Sequence, residues 1–141
     1  MSTMMFKIVT PDGPIYADQV SQVTVPTKSG QITVLPHHAA LISVLAPGEI
    51  VIKKDTYEVS LSVSRGAVEV RDTNEVYIIA DTAERAEHID LERAEAARAR
   101  AEQLMTEKSA LSDIEFARLQ AKLEKEFARL KVARKYKNIH V

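Results

Sequence analysis

The side chains with chemistry to offer gather late in the chain. Asp90 and Arg93 stand three apart, and Arg118, Lys122, Lys125 and Arg129 recur at spacings of four, three and four. On a helix each set shares one face. Asp90 and Arg93 admit two readings. One is a helix cap with an i,i+3 ion pair of about 0.3 kcal/mol. The other is a nucleotide site, in which a carboxylate meets the base or sugar and a guanidinium fork grips phosphate oxygens. The basic row, extended by Lys131, Arg134, Lys135 and Lys137, is either a solvated face or a surface for an acidic partner. A partner held that way would be released by salt, because exposed charges are screened beyond about 8–10 Å at physiological ionic strength.

No chemistry of bond cleavage is written here. The chain has no Gly-x-x-x-x-Gly-Lys-Ser/Thr loop, no Gly-x-Ser-x-Gly elbow and no Cys, so it lacks the common phosphate cradle and the usual nucleophiles. A nucleotide bound here would act as a signal. His37 and His38 are adjacent, so on an extended backbone they point to opposite sides and make a poor metal pair.

The 141 residues carry 19 basic and 20 acidic side chains. That balance hides an asymmetry: residues 113–141 hold 8 basic and 4 acidic, while the rest of the chain is net acidic. No run of 18 apolar residues is present, and Met1-Ser2-Thr3-Met4-Met5 has no signal-peptide pattern. A cytosolic protein is the default expectation. A nucleic-acid-binding module using the basic C-terminal helix is the rival reading, but it lacks interleaved aromatics. A sugar-binding sandwich would want aromatic platforms, and there is no Trp.

The elements that must position these groups change character near residue 81. Upstream, short alternating runs are divided by turn residues: Met5–Val9, Val20–Val25, Gln31–Leu35, Leu41–Leu45, Ile50–Ile52, Tyr57–Val63, Ala67–Val70 and Val76–Ile79. This spacing predicts nine or ten strands in a β-sandwich or flattened barrel. A weak helix signal sits at His37–Ala40. Downstream, Asp90 is an N-cap candidate, and Ala94, Ala97, Ala101 and Leu104 form a helical stripe. The pattern breaks at 108–111. Ser112 with Glu115 then has capping-box spacing, followed by a stripe of Phe116, Leu119, Leu123, Phe127 and Leu130. The short connection predicts an antiparallel α-helical hairpin with a narrow seam, able to leave the sandwich without unfolding it. The expected domains are 1–86 and 87–141.

Several fragments, in order, carry a family resemblance: Val9-Thr10-Pro11-Asp12-Gly13-Pro14, Leu35-Pro36-His37-His38-Ala39, Val63-Ser64-Arg65-Gly66, Ala80-Asp81-Thr82-Ala83-Glu84-Arg85-Ala86 and Ile89-Asp90-Leu91-Glu92-Arg93-Ala94. The chain resembles the epsilon subunit of bacterial and chloroplast F-type ATP synthases over nearly its whole length. The last fragment is similar to the family's Ile/Leu-Asp-x-x-Arg-Ala motif.

The resemblance implies a non-catalytic central-stalk subunit of a rotary proton- or sodium-translocating ATP synthase. Its sandwich would bind gamma and the c-subunit ring, with Gln31 and His38 matching positions at the ring. Its hairpin would fold down on the sandwich or rise toward the catalytic head. Raised, it blocks ATP hydrolysis, and Arg118, Lys122, Lys125 and Arg129 would meet acidic loops of the beta subunits. No cofactor is required; in some members ATP binds the folded hairpin as a regulatory ligand, for which Glu84, Asp90, Arg93, Arg100, Lys125 and Arg129 are the matching set. Lys125 replaces an Arg of well-binding members and offers a point charge instead of a fork. Gly30-Gln31-Ile32-Thr33 replaces the commoner Gly-Glu-Leu-Gly, and Ser64-Arg65-Gly66 replaces Ser-Gly-Gly. The implied location is peripheral, on the cytoplasmic face of the inner or plasma membrane, or the stromal face of a thylakoid.

Overall fold

The structure, a computed structural model, describes residues 2–107 and 112–140. Among them ten strands come first: β1 Met4–Thr10, β2 Gly13–Val20, β3 Gln22–Thr27, β4 Gly30–Val34, β5 Leu41–Leu45, β6 Gly48–Lys54, β7 Tyr57–Val63, β8 Gly66–Arg71, β9 Glu75–Ala80 and β10 Ala83–Arg85. A 3-10 turn at Ala86–His88 leads to helices α1 (Leu91–Glu107) and α2 (Asp113–His140). The expected β-sandwich followed by a helical hairpin is the architecture found. The break expected at 108–111 lies outside the described residues.

The strands run in the order β10-β7-β6-β3-β5-β8-β9-β1-β2, with β4 added on β3. Pairing is antiparallel except between β1 and β9. The two ends of this path meet again. The Arg85 guanidinium of β10 lies 5.4 Å from the Tyr16 ring centroid of β2, and Lys54 of β6 hydrogen-bonds Asp18 of β2. The sheet is therefore a flattened barrel that exposes little free edge.

Alternation sets the core, because successive strand side chains face opposite sides. Met4, Phe6 and Ile8 of β1 point inward, as do Val23 and Val25, Ile50 and Ile52, Val68 and Val70, and Val76 and Ile78. Gly66 marks a close crossing. A Cβ there would run into the carbonyl oxygen of Ile79 and lie 2.8 Å from the Ala80 Cα, so the β8–β9 pair tolerates only glycine at this point.

Two local expectations are corrected. Val20 and Val25 do not share a strand: Ser21 breaks the run, its N–H and hydroxyl both donating to the Lys53 carbonyl at 2.9 and 2.8 Å. Residues 37–40 form no helix: a turn at 36–37 is closed by the His38 N–H donating to the Leu35 carbonyl at 3.1 Å, and His37, with a φ of +66°, donates its N–H to Asn74 Oδ1 at 2.8 Å. Strands β2 and β10 had no clear signature of their own.

Both helix starts are capped as expected. The Arg93 N–H donates to Asp90 Oδ1 at 3.1 Å, and the Glu115 N–H donates to Ser112 Oγ at 3.2 Å. Glu95 pairs with Arg134, while Arg98 lies over Phe127. Numbers rise on one helix as they fall on the other, so the hairpin is antiparallel. Its position is down: α2 packs on α1 along one side and on β6, β7 and the 3-10 turn along another.

Candidate functional site

Two-sided packing decides what α2 buries. The stripe expected from Phe116 to Leu130 is only partly used: Leu130 is buried, but Phe116 and Phe127 are exposed. The buried positions are Glu126, Ala128, Leu130, Val132 and Ala133, which no single 3.6-residue stripe would select. On α1 the Ala94, Ala97 and Ala101 stripe is buried as read, while Leu104 is exposed. Small side chains let the helices approach but bring little apolar area to the seam. Arg98 adds a cost, since its Nε is buried there without a hydrogen-bond partner.

Between α2 and the sandwich the structure joins two of the expected nucleotide residues to each other. Glu84, on the edge strand β10, accepts from Arg129 of α2 through both oxygens, Oε2 from Nε at 3.1 Å and Oε1 from Nη2 at 3.3 Å. Glu126, one turn earlier on α2, accepts from Arg129 Nη1 at 2.8 Å. The Glu126 side chain is only 4% exposed, and it is the one buried charged residue among those described. Burial works against the charged form of Arg129, but the bonds to Glu84 and Glu126 prevail and hold the guanidinium above its ordinary range. In a helix this rich in charge a carboxylate such as Glu126 is ordinarily on the surface. It stands three residues before Arg129, which signals an ion pair, but nothing in the sequence signals its burial.

The other members of the set are placed apart from this triad. Asp90 caps α1, and Arg93 is 87% exposed with its Nε 3.8 Å from Asp90. Arg100 lies on the same face of α1 two turns on, exposed; Lys125 is half-buried on α2. No ion pair engages Arg100 or Lys125 among the described residues. Of the basic row, Arg118 and Lys122 face solvent, Lys125 is intermediate, and Arg129 is turned inward. The row therefore winds from water into the seam instead of forming one solvated face. Around it lie weaker links: Lys135 to Glu49 at 3.1 Å, and Arg65 to Glu124 at 3.1 Å.

Gln31 is exposed near the β3–β4 turn, and His38 is half-buried beyond the other end of β4, so the two do not touch one cavity. A further surface had no warning in the sequence. Register places Val44, Ala67, Ile79 and Val9 side by side across β5, β8, β9 and β1. All four face outward. Ile79 is 62% exposed, and Ile42, one outward position along β5, is 79% exposed. An apolar row of this kind on the outside of a sheet is a contact surface awaiting a partner.

The comparisons with known proteins agree with this architecture. Residues 3–86 match the family described as ATP synthase, Delta/Epsilon chain, beta-sandwich domain, and residues 87–134 match ATP synthase, Delta/Epsilon chain, long alpha-helix domain. The chain is 45% identical over 131 residues to the ATP synthase epsilon chain of Chloroflexus aggregans, covering 93% of this chain and 92% of that relative. It is 44% identical over 114 residues to the ATP synthase epsilon chain of Bacillus subtilis, covering 81% and 86%. In fold it is similar to a chain of the Euglena gracilis mitochondrial ATP synthase, with a TM-score of 0.77, 23% identity, and 94% and 82% of the two chains covered. A chain of the Tetrahymena thermophila mitochondrial ATP synthase central stalk and c-ring gives 0.62, with 18% identity and 94% and 97% covered. A ten-stranded flattened barrel, a docked helical pair and these matches across both parts lead to one assignment: the chain belongs to the ATP synthase delta/epsilon chain family.

Proposed function

We propose that this chain is the epsilon-type rotor subunit of a rotary ATP synthase, non-catalytic itself, coupling the catalytic head to the c ring. The observation that carries this reading is the apolar row Val9, Ala67, Val44 and Ile79 with Ile42 beside it. Such a surface on a rigid barrel suits permanent attachment, here to gamma, because burying it removes apolar area from water. Gln31 and His38 are assigned to the c ring. The subunit is then peripheral, held at the membrane through the complex; no helix among the described residues is long and apolar enough to cross a bilayer.

The hairpin is the regulatory part. Its thin seam makes departure from the sandwich inexpensive, and Arg118, Lys122, Lys125 and Arg129 would meet acidic loops of beta once it rises. ATP is the proposed regulatory ligand, with Arg93, Arg100 and Lys125 available to phosphate and Asp90 to the nucleoside; Glu84 and Arg129 would have to rearrange to join them. A ligand biases the two positions only through its differential affinity for them.

The test is ATP hydrolysis by a catalytic head with gamma but without this subunit, titrated with the full chain and with a version ending at Glu87. Inhibition by the full chain alone is expected. Equal inhibition by both would remove the hairpin from the mechanism, and failure of either to bind gamma would sink the attachment. Arg93→Ala should weaken ATP binding in calorimetry; an unchanged affinity would discard the assigned site.

A further inference from the structure

We propose that Glu84, Arg129 and Glu126 form a ligand-independent clasp that fixes the hairpin's docked position. This inference rests on the reading of the hairpin as a movable element, and it assigns the resting bias to the chain's own carboxylates. Other contacts also hold α2 to the sandwich. The buried apolar side chains that α2 offers are Ala128, Leu130, Val132 and Ala133, none of them aromatic. Its other ion pairs to the sandwich, Lys135–Glu49 and Arg65–Glu124, have partly exposed partners, and exposed pairs contribute little.

The triad differs in that Arg129 and Glu126 are largely withdrawn from water, with Glu84 at 32% exposure, and in joining both parts. Glu84 belongs to the sandwich edge, while Arg129 and Glu126 belong to α2. Arg129 is the single cation between two carboxylates, and its two bonds to Glu84 depend on the docked geometry. Raising the hairpin would separate Arg129 from Glu84 but leave Glu126 beside it, one turn away on the same helix. Glu126 therefore keeps the guanidinium aimed and partnered in either position, and Glu84 recognises it only when the hairpin is down. A buried charge left without its partner is costly, whereas a site emptied of all its charges is not. That asymmetry separates a clasp from ordinary packing.

The chain has neither Trp nor Cys, which allows a clean optical readout. Lys28 and Lys131 are exposed and line the same groove of about 520 Å³ between sandwich and α2. With Lys28→Trp and Lys131→Cys carrying a bimane label, quenching reports docking in the isolated full chain, without nucleotide. In that background Arg129→Gln should raise the open-to-docked ratio at least tenfold, and Glu84→Gln should raise it several-fold. The neutral triple variant Glu84→Gln, Glu126→Gln, Arg129→Gln should recover docking relative to Arg129→Gln alone. A ratio unchanged by both single substitutions overturns the clasp, as does a triple variant at least as open as Arg129→Gln. Glu84→Gln, at a strand edge, keeps the test decisive if Arg129→Gln fails to fold. Hydrolysis plays no part in this readout, so the brake and the clasp can fail separately.

Discussion

In the sandwich, Phe6, Ile8, Val23, Ile50, Ile52, Leu61 and Ile78 are wholly removed from water; in the hairpin the buried side chains are mostly Ala94, Ala97, Ala101, Ala128 and Ala133. At about 0.8 kcal/mol per buried methylene, the same number of buried positions stabilises the first far more than the second. The hairpin makes up part of the difference with charge, in the triad and the flanking ion pairs. Apolar burial is non-directional, while the triad works in one geometry only. The molecule thus joins a barrel held by apolar burial to a helical pair held by small side chains and charge.

The comparison breaks most forcefully at the barrel. Leu61→Ala should lower global stability by about 3 to 4 kcal/mol, read from chemical denaturation. Gly66→Ala should cost about 3 kcal/mol, because its Cβ meets backbone atoms that cannot turn aside. Leu130→Ala sharpens the contrast: about 2 kcal/mol is expected to be lost from docking, seen as faster proteolysis after residue 87, with the barrel's denaturation midpoint little changed. If that midpoint falls as far as in Leu61→Ala, the two parts unfold as one unit and the contrast fails. Phe127→Ala should change stability by no more than about 0.5 kcal/mol, since its ring is largely in water.

The smallest effect concerns pH. The Lys54 ammonium and the Gln19 N–H hold the Asp18 carboxyl below its usual range. The stabilisation is present above the ordinary carboxylate pKa and disappears as pH falls through the depressed folded value. Asp18→Asn should therefore flatten the acid limb of the stability profile below about pH 4, and an unaltered limb would show that other carboxylates dominate it.

How much of this was legible follows from how many sides each element packs on. Strand β5 matches the expected Leu41–Leu45 through alternating exposure, and β7 matches Tyr57–Val63 through alternating residue types, although its last three residues are all buried. Strand β2 escaped notice since only Tyr16 and Val20 are buried along it, and β10 because three residues cannot show a period. The alanine stripe of α1 was readable. On α2, contacts to α1 and to the barrel overlay two periods, so Phe116 and Phe127 drew attention while Val132 and Ala133 were doing the packing. Glu126 was the hardest to see, because a carboxylate in a charged helix is ordinarily on the surface. The outer apolar row was equally hidden: its four residues come from four strands and become neighbours only through register.

The parallel pairing of β1 with β9 sets Met5 beside Glu75, about 70 residues further along the chain. Contacts that distant close late, because a long loop must first be brought round. During synthesis β1 can pair with β2 early, but its parallel ladder to β9 must wait until nearly all of the barrel has been made. The hairpin, whose contacts are more local, can form as soon as α2 emerges. Rigidity in the finished barrel is thus linked to late closure in making it, while the helical pair rests on contacts closer together in sequence.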